Sequence, residues 1–243
     1  MEVLENEEMW SQRVIDENRL RYSEEVQNVH LVSHSKPVSG FVEDTTELVA
    51  FCARVSNPSN QMNKETSEKL IHYLIKNQHW SPLEMVSMCL EITTTRDIAR
   101  QILRHRSFSF QEFSQRYANP VQELQFVIRE ARLQDDKNRQ NSIEIKDKEL
   151  QDWWRQQQES IIENIKSIYN QSIERGIAKE QARAILPEGL TLSKLYMNGT
   201  LRSWIHYIQL RSANGTQKEH MMIARECAKV ISEVFPLAKE FIN

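Results

Sequence analysis

The stretch RHRSFSFQEFSQRY, residues 104–117, packs three arginines, one histidine and three serines into fourteen positions. Guanidinium groups are planar, permanently charged donors suited to phosphate, and serine hydroxyls and backbone amides can complete an anion cradle at a helix terminus. The segment therefore predicts a binding site for a nucleotide phosphate. The alternative is an ordinary amphipathic boundary, in which Phe108, Phe110 and Phe113 face the core and the arginines are solvated.

The order of these residues resembles the signature of flavin-dependent thymidylate synthases, R-H-R-x-x-S-x-x-x-x-S-x-R, at every fixed position. Five other stretches of this sequence resemble motifs of the same family. They are ARVS at 53–56, HWSPLE at 79–84, RQ at 100–101, ARAILP at 182–187, and RSW at 202–204 with LR at 210–211. The resemblance covers about residues 28–236. It implies an α+β fold of that family's type, with a central antiparallel sheet flanked by helices, including one long helix.

The same resemblance implies reductive methylation of dUMP to dTMP. FAD is then the cofactor, 5,10-methylenetetrahydrofolate the carbon donor and NADPH or NADH the reductant, in a homotetramer whose active sites are shared between subunits. The residues implied for dUMP are Gln101, Arg104, Glu112, Ser114, Gln115, Arg116, Arg183 and Arg211. The residues implied for FAD are Ser56, His79, Ser81, Glu84, Arg104, His105, Arg106, Ser109, Glu112, Thr200, Arg202 and His206.

Arg211 is the candidate catalytic residue, because a fixed cation beside the uracil edge stabilises negative charge that develops on the ring. The alternative role for Arg211 is that of a cation near a helix C-terminus. Arg116 and Arg183 are the candidates for the dUMP phosphate. Ser114 is expected to bind the nucleotide rather than attack it, since no histidine or lysine lies beside it in the sequence to activate the hydroxyl.

Three positions depart from the family pattern. Thr200 and His206 stand where asparagine is common, and Gly215 stands where histidine is common. The change at position 200 weakens the assignment of Thr200 to the flavin site, and those at His206 and Gly215 are expected to alter flavin contacts. All three leave the predicted phosphate-binding residues untouched. They also keep open a second function, that of a catalytically silent relative that binds dUMP and FAD.

Composition limits the other possibilities. The 243 residues are 40% hydrophobic, enough for a sizeable core, and the net charge of −3 gives no general argument for nucleic acid or an anionic membrane as a partner. A nucleic-acid-binding protein that uses Arg104, Arg106 and Arg116 on backbone phosphates is the third hypothesis, and the net charge counts against it. The acidic first ten residues and the lack of an 18-residue apolar run predict a soluble, cytoplasmic protein.

Cysteine and glycine usage exclude several kinds of site. Cys52, Cys89 and Cys227 form no CxxC pair and are expected to be reduced packing residues. The five glycines form neither GxGxxG nor a P-loop, so a nucleotide cofactor must be held in another way. No His, Cys, Asp or Glu cluster has metal-ligand spacing, so no metal is expected.

Hydrophobic periodicity predicts the elements. Strands are expected over 28–34, 84–95, 125–130 and 190–197, and helices over 45–55, 64–76, 96–105, 150–175, 179–186, 201–212 and 217–234. Residues 1–27 are predicted to be a polar N-terminal arm in front of a domain over 28–243, and the polar region 134–148 is predicted to be a surface loop or insertion. Trp153 and Trp154 are expected to lie in the core face of the long helix.

Overall fold

The computed structural model describes residues 20–38 and 40–242, so most of the predicted arm lies outside the described residues. The described strands are β1 Arg21–Tyr22, β2 Asn28–His34, β3 Ser87–Thr95, β4 Ser109–Glu112, β5 Val127–Ile128, β6 Arg132–Gln134, β7 Ser142–Glu144 and β8 Leu192–Thr200. The described α-helices are α1 Ser23–Val26, α2 Thr45–Ala53, α3 Ser67–Lys76, α4 Arg96–Ile102, α5 Pro120–Glu123, α6 Lys148–Glu174, α7 Lys179–Ala182, α8 Leu201–Arg211 and α9 Lys218–Ile231. Short 3-10 helices cover Pro58–Asn60, Ser81–Glu84, Arg183–Ile185 and Pro236–Phe241.

A four-stranded antiparallel sheet with strand order β2-β3-β8-β4 forms the centre of the fold. Strand β3 alternates along its length, with Met88, Leu90 and Ile92 buried between residues that are only partly covered. This period of two directs one face of the strand toward the helices. The Trp204 indole of α8 donates to the Met88 carbonyl at 3.1 Å, so the helix is tied to the buried face of the sheet. The predicted α+β class with a central antiparallel sheet is confirmed.

Two smaller pairings lie outside this sheet. Strand β1 pairs in parallel with β5, and β6 pairs with β7 in an antiparallel hairpin. The region 134–148, which is predicted to be a surface loop or insertion, contains strand β7 of this hairpin. Its residues are exposed, and the hairpin is held by its backbone pairing rather than by apolar burial.

The long helix α6 is confirmed over 27 residues. Asp147 caps its start by accepting from the Leu150 amide at 3.1 Å, and Gly176, with φ +81°, follows its end. Ile162 and Tyr169 are its fully buried apolar residues, and they pack in a second hydrophobic cluster with the β5 region.

The core prediction for Trp153 and Trp154 is wrong. Their exposed fractions are 53% and 36%, and the two rings stack on each other with centroids 6.1 Å apart. Ile161 and Ile168 are also exposed, and together with Trp154 they repeat every seven residues. Helix α6 carries more apolar residues than its core-facing side can cover, so a second apolar stripe faces outward. Within the described residues, no helix is both long enough and apolar enough to cross a lipid bilayer.

Candidate active site

Strand β4 runs through the middle of the arginine-rich segment. Its residues Ser109–Glu112 pair with Asn198–Leu195 of β8, and α4 stops at Ile102, three residues earlier than expected. The segment is therefore held by a sheet edge rather than by a helix terminus. Phe108 is anchored under the sheet, where its ring lies edge-on to Trp204 with centroids 4.8 Å apart. This packing fixes the backbone from which the neighbouring charged side chains project.

The candidate catalytic residue meets this segment directly. Arg211, the last residue of α8, donates from Nε to the Nε2 atom of His105 at 2.9 Å. Burial, followed by the charges of Arg211 and Arg104, lowers the pKa of His105 from 6.5 to about 4. The imidazole is therefore neutral at pH 7 and can accept this bond. Within the described chain, the outer nitrogens of Arg211 have no hydrogen-bond partner, so they remain available to a ligand.

Glu112 lies in a cluster of cations. Ser193 donates to its Oε1 atom at 2.8 Å, and guanidinium nitrogens of Arg96 and Arg100 lie 3.5 Å and 3.9 Å from its carboxylate. The pKa of Arg96 is lowered overall, and burial is the largest cause. The charge of Glu112 opposes this shift, whereas the charges of Arg100 and Arg183 add to it. Arg183 is thus close enough to act electrostatically on this cluster. The structure brings two predicted dUMP residues, Glu112 and Arg183, to one region.

Three more predicted dUMP residues, Ser114, Gln115 and Arg116, follow in the turn after β4. Arg116 lies 3.6 Å from Glu180, and Lys179 donates to the Tyr117 carbonyl at 2.9 Å, so this turn packs beside the segment that carries Arg183. Ser114 accepts from the Arg116 amide at 3.4 Å. Gln115 is buried, and its Nε2 atom has no hydrogen-bond partner in the described chain. A buried donor of this kind is costly unless something accepts from it, which favours a ligand beside it.

Four of the predicted flavin residues, Glu84, Thr200, Arg202 and His206, form a second group around the start of α8. Arg202 pairs with Glu84, and the His206 ring lies 4.4 Å from that of Trp80. Burial, followed by Arg202, lowers the pKa of His206. Thr200 caps the helix by accepting from the Ser203 amide at 3.3 Å, so its hydroxyl has a structural partner already.

Helix α8 connects the two groups. The Ser203 hydroxyl donates to the Ser107 carbonyl at 3.3 Å, and Arg202 and Arg211 lie about 14 Å apart along the helix axis at the usual rise per residue. Arg104, Arg106 and Ser109 are exposed beside this helix, and neither arginine forms an ion pair within the described residues. The free guanidinium groups can therefore bind an anionic ligand.

Ser56, His79 and Ser81 are exposed, and in the described part of the chain no hydrogen bond joins them to the segment 104–117. Ser56 follows α2, which packs against the 3-10 helix that begins at Ser81. The His79 ring lies edge-on to Tyr73 with centroids 6.0 Å apart. The single chain thus places these three residues near the Glu84 group but not against the arginine-rich segment.

Sequence reasoning missed a buried polar group beside His105. Tyr207 lies edge-on to the His105 ring with centroids 4.9 Å apart, and its hydroxyl lies 3.1 Å from Nε2 of His220. Glu219 and His220 are fully buried although both are polar. The available signal was the position of these two residues on the apolar side of an amphipathic helix, where polar side chains need partners. All three cysteines are free, and burial raises the pKa of each thiol.

Comparison with known proteins bears on this site. The family described as thymidylate synthase complementing protein matches residues 37–237. The chain is 48% identical over 206 residues to a probable flavin-dependent thymidylate synthase of Paramecium bursaria Chlorella virus 1, covering 85% of this chain and 94% of that protein. It is 47% identical over 212 residues to the flavin-dependent thymidylate synthase of Synechocystis sp., covering 86% and 96%.

A solved structure is also similar. The UMP/dUMP methylase PolB from Streptomyces cacaoi, bound with 5-Br dUMP, superposes with a TM-score of 0.75 at 25% identity, covering 92% of this chain and 96% of that chain. The sequence relatives and the solved structure are each similar to this chain over most of its length.

Proposed function

The chain belongs to the flavin-dependent thymidylate synthase family, and we propose that it binds dUMP between Arg211, Glu112 and the turn 114–116 and methylates it. Flavin dependence and methyl transfer are properties of this family. The observation that carries the proposal is the hydrogen bond between Arg211 and His105, which joins the candidate catalytic cation to the family signature.

Arg116 and Arg183 are proposed to hold the nucleotide phosphate. Arg183 forms no ion pair within residues 20–38 and 40–242, and Arg116 has a single exposed carboxylate partner, Glu180. Guanidinium groups with free donors bind phosphate oxygens in a bidentate manner. The unpartnered Nε2 atom of Gln115 adds a neutral donor that fits an acceptor oxygen of the same ligand.

Arg211 is proposed to stabilise negative charge on the uracil ring during methylation. His105 holds the guanidinium by Nε, so the group is oriented before substrate binds and its outer nitrogens form a fixed fork. A preorganised cation contributes more than a mobile one, since no reorganisation is needed as charge develops. Ser114 is proposed to bind the nucleotide, because no histidine or lysine lies beside it in the sequence to activate its hydroxyl.

The residues around α8 fit a bound flavin. When bound, reduced FAD supplies the hydride for the reaction, and NADPH or NADH is proposed to reduce it. The exposed, unpaired Arg104 and Arg106 suit its phosphates, and the Trp80–His206 pair offers a ring surface for stacking. Methylenetetrahydrofolate is the proposed carbon donor.

A homotetramer with shared active sites is proposed as the assembly. The support is the outward apolar stripe of α6, formed by Trp153, Trp154, Ile161 and Ile168. A seven-residue spacing of exposed apolar side chains is typical of a seam between helices. Burial of this stripe against other subunits would also account for its exposure in the single chain.

One anaerobic assay tests the function. The protein is expected to be yellow as purified, with oxidised FAD bound, and to form dTMP once reduced nicotinamide, methylenetetrahydrofolate and dUMP are added. The Arg211→Ala variant is expected to fold and form almost none. Colourless protein that takes up no FAD would contradict the proposal. Binding of dUMP without any dTMP would instead establish the catalytically silent relative.

A further inference from the structure

Five side chains from three segments form one hydrogen-bonded chain. The Tyr207 hydroxyl lies 3.1 Å from Nε2 of His220, and Nδ1 of His220 lies 3.2 Å from Oε1 of Gln101. Nε2 of Gln101 donates to Oε1 of Gln217 at 2.8 Å. Nε2 of Gln217 donates in turn to Oε2 of Glu219 at 2.9 Å. The chain begins beside the His105 ring and ends in the protein interior.

The buried end of the chain has a fixed polarity. Glu219 has an exposed fraction of 0%, and Arg132 of strand β6 donates to its Oε1 atom. A carboxylate paired with a guanidinium accepts hydrogen bonds and has none to donate. Its Oε2 atom therefore requires the nitrogen of Gln217, and the oxygen of that amide is turned toward Gln101.

The acceptor at Glu219 fixes the direction of every other hydrogen bond in this series of side chains. Because the Gln217 oxygen can only accept, Gln101 must present its nitrogen there and its oxygen to His220. The Nδ1 atom of His220 then carries the proton, and Nε2 accepts from Tyr207. Burial, followed by Arg211 and His105, lowers the pKa of His220 to about 3, so the neutral imidazole that this pattern needs is the stable form at pH 7. All four bonds donate in one direction, toward Glu219.

The family resemblance implies that Gln101 binds dUMP. Resting on that role and on the proposed function, we infer that Gln217 and Glu219 are positioning residues that lock the Gln101 amide in one orientation. A flipped Gln101 would set its oxygen against the Gln217 oxygen, and two acceptors repel each other. One hydrogen of the Gln101 nitrogen has no partner within the described residues. The lock therefore keeps a donor, rather than an acceptor, ready for an oxygen atom of the nucleotide.

The substitution Glu219→Gln makes this inference testable, because it is expected to reverse the whole chain. Arg132 keeps the new amide oxygen in the Oε1 position, so the new nitrogen faces Gln217 and donates to it. Gln217 and Gln101 must then both flip, and His220 must move its proton to Nε2. Size and packing are nearly unchanged, whereas the polarity presented to the nucleotide is inverted.

The experiment measures dUMP affinity by titration calorimetry on the FAD-loaded protein. Glu219→Gln is expected to weaken dUMP binding about tenfold or more, as for a buried polar group left without its partner, with FAD content unchanged. Glu226→Gln is the matched control on the same helix, since its carboxylate pairs only with exposed Lys229 within the described residues. This control is expected to bind dUMP as the wild type does.

A second readout reports the orientation itself. The nitrogen chemical shifts of ¹⁵N-histidine-labelled protein, with the His220 signals assigned by a His220→Gln variant, are expected to move from the Nδ1–H to the Nε2–H tautomer in Glu219→Gln. Gln217→Met interrupts the hydrogen-bonded series but leaves Glu219 paired with Arg132, and it is expected to weaken dUMP binding. This variant is the test of the positioning role if Glu219→Gln does not fold. Wild-type affinity in the folded variants, with an unchanged tautomer, would overturn the positioning role. Failure of the wild-type protein to bind dUMP would instead overturn the proposed function.

Discussion

Arg211 and His105 are joined by a 2.9 Å hydrogen bond across 106 positions of sequence. The bond uses the Nε atom of arginine, which lysine lacks. Arg211→Lys keeps the charge but loses the held, planar fork, so turnover is expected to fall on the order of 100-fold or more. Steady-state dTMP formation measures the effect. Arg225→Lys, at an exposed position of α9, is the control and is expected to keep wild-type turnover; wild-type activity in Arg211→Lys would show that charge alone is sufficient.

His220, which is buried, and His105, which is half-buried, predict a loss of stability in acid. Their pKa values in the folded protein are about 4 for His105 and about 3 for His220, below the ordinary value of 6.5. As pH falls from 6.5 toward 4, the unfolded chain takes up protons that the folded chain cannot, so the free energy of unfolding decreases. His220→Gln removes one such proton and is expected to reduce the slope by up to about 1.4 kcal/mol per pH unit.

Urea unfolding at several pH values between 6.5 and 4.5 measures this slope. Gln156→Ala is the control, because that residue is exposed and the change neither adds nor removes a titrating group, and it is expected to leave the slope unchanged. A His220→Gln slope equal to that of the wild type would mean that His220 takes up its proton in the folded state.

Gly199 is required by a close approach rather than by backbone conformation. A Cβ atom at this position of β8 would lie 2.4 Å from the Phe108 ring, which is itself packed against Trp204. Gly199→Ala is expected to force Phe108 out of place and to destabilise the fold by about 1–3 kcal/mol. Thermal unfolding checks this, with Gly40→Ala as control, since a Cβ atom there meets nothing within 4 Å. The double variant Gly199→Ala with Phe108→Leu is expected to recover part of the loss.

The outward stripe of α6 predicts that assembly depends on tryptophan. Replacing Trp153 and Trp154 together by glutamine is expected to shift the protein toward smaller species, because the apolar area available for association is removed. Sedimentation velocity at several concentrations measures the distribution. Replacing exposed Tyr73, which lies on another helix, by glutamine is the control. An unchanged distribution in the double tryptophan variant would place the subunit interface elsewhere.

Local pattern was sufficient for much of this fold. Strand β3 is indicated by alternating apolar residues, and helix α6 by apolar residues at helical spacing. Both signals lie within a short stretch of sequence, and both elements are predicted correctly. Strand β4 was missed because Ser109–Glu112 has only four residues and owes its pairing to β8, which lies far away in the sequence. Trp153 and Trp154 were misassigned because periodicity identifies an apolar face without saying what covers it.

The candidate site divides in the same way. The arginine-rich segment could be identified from residue order, and the structure then joined Arg211 to it. The buried Tyr207–His220 pair could not be identified from the sequence, because each residue alone fits an amphipathic helix. Only the packing of α8 against α9 brings the two side chains together. The orientation of Gln101 depends in turn on Arg132, from a hairpin whose second strand lies in the region predicted to be a surface loop or insertion.

The connectivity of the central sheet sets the order in which the protein can fold. Strands β3 and β8 are its two middle strands, and Ser87 pairs with Thr200 at the far end of a long intervening segment. During synthesis, a ribosome must therefore translate nearly all of the chain before the middle of the sheet can close. Helix α6 can form earlier from local contacts, whereas closing so large a loop is slow and leaves β3 exposed to other nascent chains.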